Sequence, residues 1–382
     1  MNKKKLLFVV GVDWSFTSHR LPIALEAIKQ GYEVHIAAAI TDKREMMEAH
    51  GLIVHPLPLN RGSTNPLAEL KTFFAIWKLF NNVRPDILHL VTIKPVLYGG
   101  IAARFTTIKN VVSAVPGLGF VFLAKGAKAA IRRMIVAMLY RLALGDILGY
   151  FGGKKNIKVI FQNPDDKKQI LAITGLPEEK TVMIRGSGAD LSKYIQEPLP
   201  DGVPIVVMAA RLLRDKGVRE FVEAATMLKN EGIKARFCLV GDPDLENPSS
   251  VTVAELAAWQ AEGNVETWGY RTDIAQIFAG SYMVVLPSYS EGLPKVLIEA
   301  AVCGRAVVTT DVSGCRDAIE ADVTGLLVPA KDAAALAEAM EKLLNDRELC
   351  KKMGEAGRKF AEQEFDIKNV VATHMGIYNN LV

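Results

Sequence analysis

Four side chains in the second half of the chain carry residue types and spacings suited to chemistry. Glu291 and Glu299 stand eight residues apart in "SEGLPKVLIEA" (290–300), with Gly292 and Pro294 between them and an apolar run after. Arg211 and Lys216 share the stretch "MAARLLRDKGVREF" (208–221). Arginine offers a planar fork and lysine a mobile point charge, and both suit a phosphate. Pro294 suits the first turn of a helix, so Glu291 falls on the loop before it and Glu299 in the second turn. At that helix start the backbone N–H groups of Gly292 and Leu293 are expected to stand free, where an anion binds well. A diphosphate held by Arg211, Lys216 and these amides would leave Glu291 to accept from a sugar and Glu299 from a ribose. That is the outline of a nucleotide-sugar. The plainer alternative makes 211–217 a solvated charged loop, Glu291 a helix-start charge and Glu299 a solvated helix residue. Glu299 is flanked by "LI" and "AA", however, and a carboxylate in apolar surroundings needs a partner.

The elements that would position these residues alternate from end to end. Runs at 5–10, 33–38, 52–57, 86–90, 110–113 and 157–161 read as strands, with amphipathic segments such as "TSHRLPIALEAIKQG" (17–31) between them. This is βαβ alternation, hence a parallel sheet covered by helices. Prolines and a glycine in "QEPLPDGVP" (196–204) interrupt it, and the alternation then restarts at 204–210 and runs through 235–240, "NVETW", 282–287, 305–310 and "GLLVP". The expected fold class is α/β, with two doubly wound parallel-sheet domains facing across a cleft. Residues 1–197 form the first, 198–365 the second, and a terminal helix at 366–382 packs back on the first. Such sheets bind ligands at the carboxyl ends of their strands.

Several function classes are set aside. At 382 residues, half hydrophobic and 23% charged, the chain is globular and long enough for two cores. A net charge of +4 without basic runs gives no reason to expect nucleic acid. Cys238, Cys303, Cys315 and Cys350 form no CxxC pair and have no His partners at metal spacing, so reduced thiols are expected and no metal. The start "MNKKKLLFVVGVDW" imitates a signal peptide, but its apolar stretch ends at Asp13 without a cleavage site, and it reads as a first strand. No apolar run approaches the ~20 residues of a spanning helix. The turn after the first strand, "GVDWSFTSHR", lacks a dinucleotide fingerprint, and no P-loop is present. The stretch 124–144 is helical in period. Ile131, Met134, Ile135, Met138 and Leu142 share an apolar face, and Lys125, Lys128 and Arg132, with Arg133 beside them, make a basic edge. It reads either as a core helix with a solvated basic face or as a helix lying on an anionic membrane surface.

The pieces "AARLLRDKGV", "LVGDPD", "WGYRTDI", "SEGLPKVLIEAAVCGRAVVTTDVSGCRDAI" and "TGLLVP", in this order, resemble the retaining glycosyltransferases of family 4, which have the two-domain GT-B fold. "SHRLPIALEAIKQGYEVHIAA", "HLVTIKPVLYGGIAA" and "PGLGFVF" extend the resemblance to the bacterial branch that builds polyprenyl-diphosphate-linked glycans, nearest to N-acetylgalactosaminyltransferases of N-glycan or O-antigen assembly. By matching position, the resemblance implies that Arg211 and Lys216 hold the donor diphosphate, that Glu291 contacts the transferred sugar and that Glu299 contacts the ribose. Trp268, Gly269 and Tyr270 would frame the base, and Gly241 would lie close to the nucleotide. The donor would be a UDP-sugar, the acceptor a polyprenyl-diphosphate-linked saccharide, and no cofactor would be needed. Lys125, Lys128, Arg132 and Arg133 would meet an anionic membrane surface, and Arg20 would reach an anion near the first-strand loop. The expected location is cytoplasmic, peripherally attached to the inner face of the membrane. One departure stands out, since many family members carry a His where this chain reads "SAVPGLGF" (113–120). His19 is nearby in sequence, with either a direct or a capping role. Two other readings are a GT-B transferase with a soluble acceptor and a non-catalytic nucleotide-sugar-binding protein on the same fold. An epimerase on a related fold is disfavoured by the E-x7-E spacing.

Overall fold

The computed structural model describes residues 3–60, 65–118, 126–145, 155–244, 247 and 249–382. They form two compact units, Met1–Ser187 with Lys368–Val382, and Gly188–Ile367. In unit 1, strands β1 (Lys5–Val12), β2 (Glu33–Ala39), β3 (Ile53–Pro56), β4 (Ile87–Val91), β5 (Asn110–Val115), β6 (Asn156–Phe161) and β7 (Thr181–Met183) pair in the order β3-β2-β1-β4-β5-β6-β7, all parallel. Its helices are α1 (Asp13–His19), α2 (Leu21–Lys29), α3 (Arg44–Ala49), α4 (Pro66–Val83), α5 (Gly100–Arg104), α6 (Ala127–Leu144) and α7 (Pro164–Thr174). In unit 2, β8 (Ile205–Ala209), β9 (Arg236–Val240), β10 (Glu266–Thr267), β11 (Met283–Leu286), β12 (Ala306–Thr310) and β13 (Gly325–Val328) pair in the order β10-β9-β8-β11-β12-β13, again parallel. Helices α8 (Val218–Asn230), α9 (Val253–Glu262), α10 (Ile274–Ala279), α11 (Lys295–Val302), α12 (Ala333–Asn345) and α13 (Arg347–Glu364) complete it, and α14 (Ile367–Leu381) leads the chain back to unit 1.

The central strands are apolar along their whole length because helices bury both faces of a parallel sheet. β4, "ILHLV", and β12, "AVVTT", are buried at every position. Helix starts follow local chemistry. Asn65 accepts from the Leu67 N–H just before Pro66, and Thr252 and Glu255 form a reciprocal capping box on α9. β7 was not foreseen, since three residues, "TVM", carry too little pattern to read. The unit boundary falls at Gly188 rather than at the prolines of 196–204. The reason is that Ala189 donates to the Phe365 carbonyl and accepts from Ile367, which ties this segment to unit 2.

α14 lies over buried polar groups of unit 1. The Tyr378 hydroxyl is 2.5 Å from His89 Nδ1, and the His89 and His374 rings stack at 5.7 Å. Arg20 sits among them, 3% exposed, its Nη1 donating to the His19 carbonyl at 3.1 Å. Burial brings Arg20 down to about 10. This corrects the expectation that Arg20 reaches an anion at the acceptor side, because its side chain is enclosed. His19 Nδ1 lies 3.0 Å from Ser187 Oγ.

α6 has apolar groups on two sides. Val136, Leu139, Tyr140, Ala143 and Leu144 pack into the unit 1 core, and buried Arg104 donates to the carbonyls of Ala143 and Gly145 at its end. Ile131, Met134, Ile135 and Met138 face outward, Met134 at 67% exposure. Lys128 and Arg132 are exposed beside them, and Arg133 is half-buried. Lys125 lies outside the described residues.

His89 and His374 are held well below their usual range, His374 at about 3, first by burial and then by neighbouring charge. The folded state keeps both neutral, whereas the unfolded chain takes up protons below about pH 6.5, so stability falls with pH from there toward 3. All six histidines lie in unit 1. In unit 2 the lowered carboxyls of Glu255 and Glu266, both near 2, act only below their usual range. Hydrogen-exchange protection factors, corrected for the intrinsic rates at pH 7 and pH 5, are expected to fall at pH 5 in α14 and β4 while those of β8 and β11 hold.

Candidate active site

β8 and β11 are neighbours where the strand order of the unit 2 sheet reverses, the place where open parallel sheets take ligands. Beyond β8 the chain passes through Arg211, makes a short turn at Arg214–Lys216 and enters α8 through Gly217. Gly217 has φ +76°, and a Cβ there would lie 2.1 Å from the Pro287 carbonyl oxygen just past β11. Only glycine allows this approach. The two loops are then stitched together, since the Tyr289 N–H donates to the Asp215 carbonyl at 2.9 Å.

On this frame Lys216 Nζ donates to Glu291 Oε1 at 2.5 Å. The Ser288 hydroxyl has one proton and two acceptors in reach, Glu291 Oε1 at 2.8 Å and the Asp215 carbonyl at 3.1 Å. Ser288 is fully buried, and its carbonyl accepts from the Thr310 hydroxyl. Glu291 is therefore held by a cation and a hydroxyl on one oxygen, while among the described residues Oε2 has no hydrogen-bond partner.

Further along, Glu299 is the fifth residue of α11 and is buried. Lys295 Nζ lies 2.8 Å from its Oε1, and the Tyr194 hydroxyl donates to the same atom. Burial, and then the Glu299 charge, push the Tyr194 phenol up. The partner that the apolar flanks of Glu299 demand is thus a pair. Tyr194 was not found from sequence, where it falls before the expected domain boundary and 105 residues from Glu299.

Arg211 does not join Lys216 and Glu291. Its Nη1 donates to Asp244 Oδ2 at 2.8 Å, and Asp244 N–H donates to Ser250 Oγ at 3.0 Å. Asp242 and Asp244 form an Asp-x-Asp pair that the expectation of a metal-free site leaves out of account. Gly292 and Leu293 are both buried in the turn before α11, and the Leu293 N–H has no partner among the described residues.

The segment 268–270 is joined to the end of β9. Trp268 N–H donates to the Leu239 carbonyl at 2.9 Å, and Gly241 N–H to the Gly269 carbonyl at 2.8 Å. Gly241 has φ +134°, and a Cβ on it would lie 1.9 Å from the Ala210 carbonyl oxygen. The Trp268 indole is committed to Glu266 at 3.0 Å with the Arg236 guanidinium 5.9 Å over its ring, and Tyr270 is exposed.

Unit 1 has its own cavity where its strand order reverses, between β1 and β4. It is about 230 Å³ and is lined by Gly11, Trp14, Ser15, Asn60, Thr92 and Lys94, among others. Asp13 braces its floor, accepting from Thr41 Oγ1 and from the N–H groups of Trp14, Thr41 and Lys43. Burial works to raise the Asp13 carboxyl, but these donors together bring it below the usual range. Lys94 is bound to Glu69 Oε1 and to the Asn60 carbonyl, both at 2.7 Å.

Residues 5–144 match the model of glycosyl transferase 4-like domains, and residues 193–360 match that of glycosyl transferases group 1. The class is thus that of sugar-transferring enzymes. Over 376 residues the chain is 31% identical to the N,N'-diacetylbacillosaminyl-diphospho-undecaprenol alpha-1,3-N-acetylgalactosaminyltransferase of Campylobacter jejuni, covering 95% of each. It is 24% identical to the UDP-Gal:alpha-D-GlcNAc-diphosphoundecaprenol alpha-1,3-galactosyltransferase of Escherichia coli, over 74% of this chain and 72% of that one. Anabaena Alr3699/HepE, solved in complex with UDP, shares the fold with a TM-score of 0.76 at 19% identity, over 99% of this chain and 100% of that one. The chain belongs to this family of group 1 and 4-like glycosyltransferases, and it is an enzyme of the GT-B fold.

Ser288→Ala removes the hydroxyl that steadies Glu291 and leaves Lys216 in place. Turnover is expected to fall roughly tenfold, the scale of one hydrogen bond to a charged group, with UDP affinity unchanged. Initial rates at saturating donor, with calorimetric UDP titration on the same preparation, check this. Parallel loss of both would make Ser288 a folding residue only.

Proposed function

We propose that the enzyme moves an N-acetylhexosamine, such as N-acetylgalactosamine, from a UDP-sugar to a polyprenyl-diphosphate-linked saccharide, with retention at the anomeric carbon. The observation that carries this is the Lys216–Glu291 pair at the carboxyl ends of β8 and β11. The names of the Campylobacter and Escherichia relatives, both acting on diphospho-undecaprenol-linked sugars, support the acceptor class.

In the reaction the bond from the sugar's anomeric carbon to the diphosphate oxygen breaks, and the diphosphate leaves with the electron pair. The acceptor hydroxyl oxygen forms the new bond and gives its proton to the departing diphosphate oxygen. Charge grows on the leaving diphosphate, so fixed positive groups beside it lower the barrier. Lys216 supplies the nearest charge, Arg211 a second from earlier in the same loop, and the Leu293 amide a dipole. Glu291 turns its unpartnered Oε2 to the transferred sugar. Glu299, steadied by Tyr194 and Lys295, accepts from the ribose, and 268–270 with Gly241 frames the base through backbone groups. The acceptor saccharide is taken by unit 1.

The membrane is met by the outward face of α6. Four exposed apolar side chains flanked by Lys128 and Arg132, on a helix with no acidic residue, suit an anionic lipid surface better than water. Among the described residues no helix is long and apolar enough to cross a membrane. The proposed contact is peripheral, on the inner face.

Glu291→Gln keeps the shape and removes the charge. Turnover is expected to fall roughly 10–1000-fold, the range of about 1.4–4 kcal/mol of lost transition-state interaction. UDP affinity should hold or rise, because Lys216 then gives its whole charge to the diphosphate. Glu299→Ala should instead weaken UDP binding. Unchanged turnover in Glu291→Gln would remove that residue from the reaction. Wild-type protein that binds UDP yet transfers nothing to a lipid-linked acceptor would make this a nucleotide-sugar-binding protein.

A further inference from the structure

A second helix of unit 1 has an outward face that its fold does not explain. α4 buries Thr72, Ile76, Phe80 and Val83 against the sheet. On its other side Leu67, Leu70, Phe74 and Trp77 are all exposed, Leu67 at 78% and Phe74 at 55%. With exposed Lys71 and Lys78 they follow the spacing i, i+3, i+4, i+7, i+10, i+11, one continuous stripe of apolar and basic groups. The only acidic residue of α4, Glu69, is turned away to Lys94 and Tyr98, each at 2.7 Å. The stripe continues past its own helix, since the Trp77 indole reaches the carbonyl of Phe105, which follows α5 and is itself exposed. α5 packs against both α4 and α6, and the three helices share one core with the sheet.

We infer that α4 is a second lipid-contacting element, and that Leu67, Leu70, Phe74 and Trp77 enter the headgroup and acyl boundary of an anionic bilayer while Lys71 and Lys78 meet its phosphates. The charge pattern selects this occupant. The outward faces of α4 and α6 together present Lys71, Lys78, Lys128 and Arg132 and no carboxylate, which complements an anionic surface and repels a second copy of the same patch. An indole with an apolar body and an N–H at its edge is a side chain found at such interfaces. A patch of this size left in water would be an aggregation liability. This extends the reading of α6 as a peripheral contact, and it makes unit 1 rest on two helices, which fixes its rotation on the membrane as well as its attachment.

The test uses the full chain and vesicles of phosphatidylcholine, with and without phosphatidylglycerol. Leu70→Ser with Phe74→Ser is expected to weaken binding to the anionic vesicles by roughly tenfold or more. Lys71→Glu with Lys78→Glu, which alters solvated positions only, should lose the preference for phosphatidylglycerol. Brominated lipid should quench wild-type fluorescence more than that of Trp77→Phe. UDP affinity on each preparation reports that unit 2 is intact. An Ile131→Ser, Met134→Ser variant separates the two helices. If it abolishes binding while both α4 variants bind as wild type and Trp77 is unquenched, α4 is not a lipid contact and the α6 reading stands. If wild type ignores both vesicles, both fall. If the wild type is a dimer without lipid and Leu70→Ser with Phe74→Ser makes it a monomer, the stripe is a self-association face and the inference is overturned.

Discussion

The ion pair between Lys216 and Glu291 constrains the whole of unit 2's functional end. Its partners come from loops that follow different strands, 75 residues apart, and meet at 2.5 Å. That meeting requires β8 and β11 to be neighbours, the Pro287 carbonyl to press against a residue without a Cβ, and the hydroxyl of a fully buried serine to lie beneath the carboxylate. Each charge is mostly withdrawn from water, so removal of one would leave the other poorly solvated. A site arranged in this way holds its charges before any substrate arrives, which is what makes fixed dipoles and ions effective in a reaction.

The two carboxylates of the strand-to-helix turn are treated differently by their surroundings. Glu291 shares one oxygen between a lysine and a serine, and Glu299 shares one between a lysine and a tyrosine. Each keeps its second oxygen without a partner among the described residues. Glu299 is the more deeply buried of the two, on a helix rather than a loop. A fixed helix position suits binding that is the same before and during reaction, whereas a loop end beside a cation suits a group whose contacts change as a bond breaks.

Much of this was legible in the chain itself. Continuous β-branched runs such as "MVVL" and "AVVTT" announce buried parallel strands, and every long strand was placed within a few residues. The positions of Glu291 before α11 and Glu299 within it followed from Pro294 alone. What could not be read were contacts distant in sequence. Nothing near Tyr194 points to Glu299, and nothing in "SHRLP" reveals that Arg20 is enclosed under α14. Periodicity marked Ile131, Met134, Ile135 and Met138 as one face, but period alone does not say which side meets the core. The smaller pattern of Val136, Leu139, Tyr140 and Ala143 took that place. The stripe on α4 escaped notice for the same reason, since its two apolar faces blur into one hydrophobic run.

The claim that Lys216 and Glu291 act as a unit on the departing diphosphate and its sugar is tested most directly by a double-mutant cycle. Turnover on a lipid-linked acceptor would be measured for wild type, Lys216→Met, Glu291→Gln and the double variant. The account predicts strong coupling, with the double variant roughly tenfold or more faster than the product of the two single losses would give. Single losses that simply multiply, measured at saturating donor in all four proteins, would mean that the two residues act independently and would contradict it.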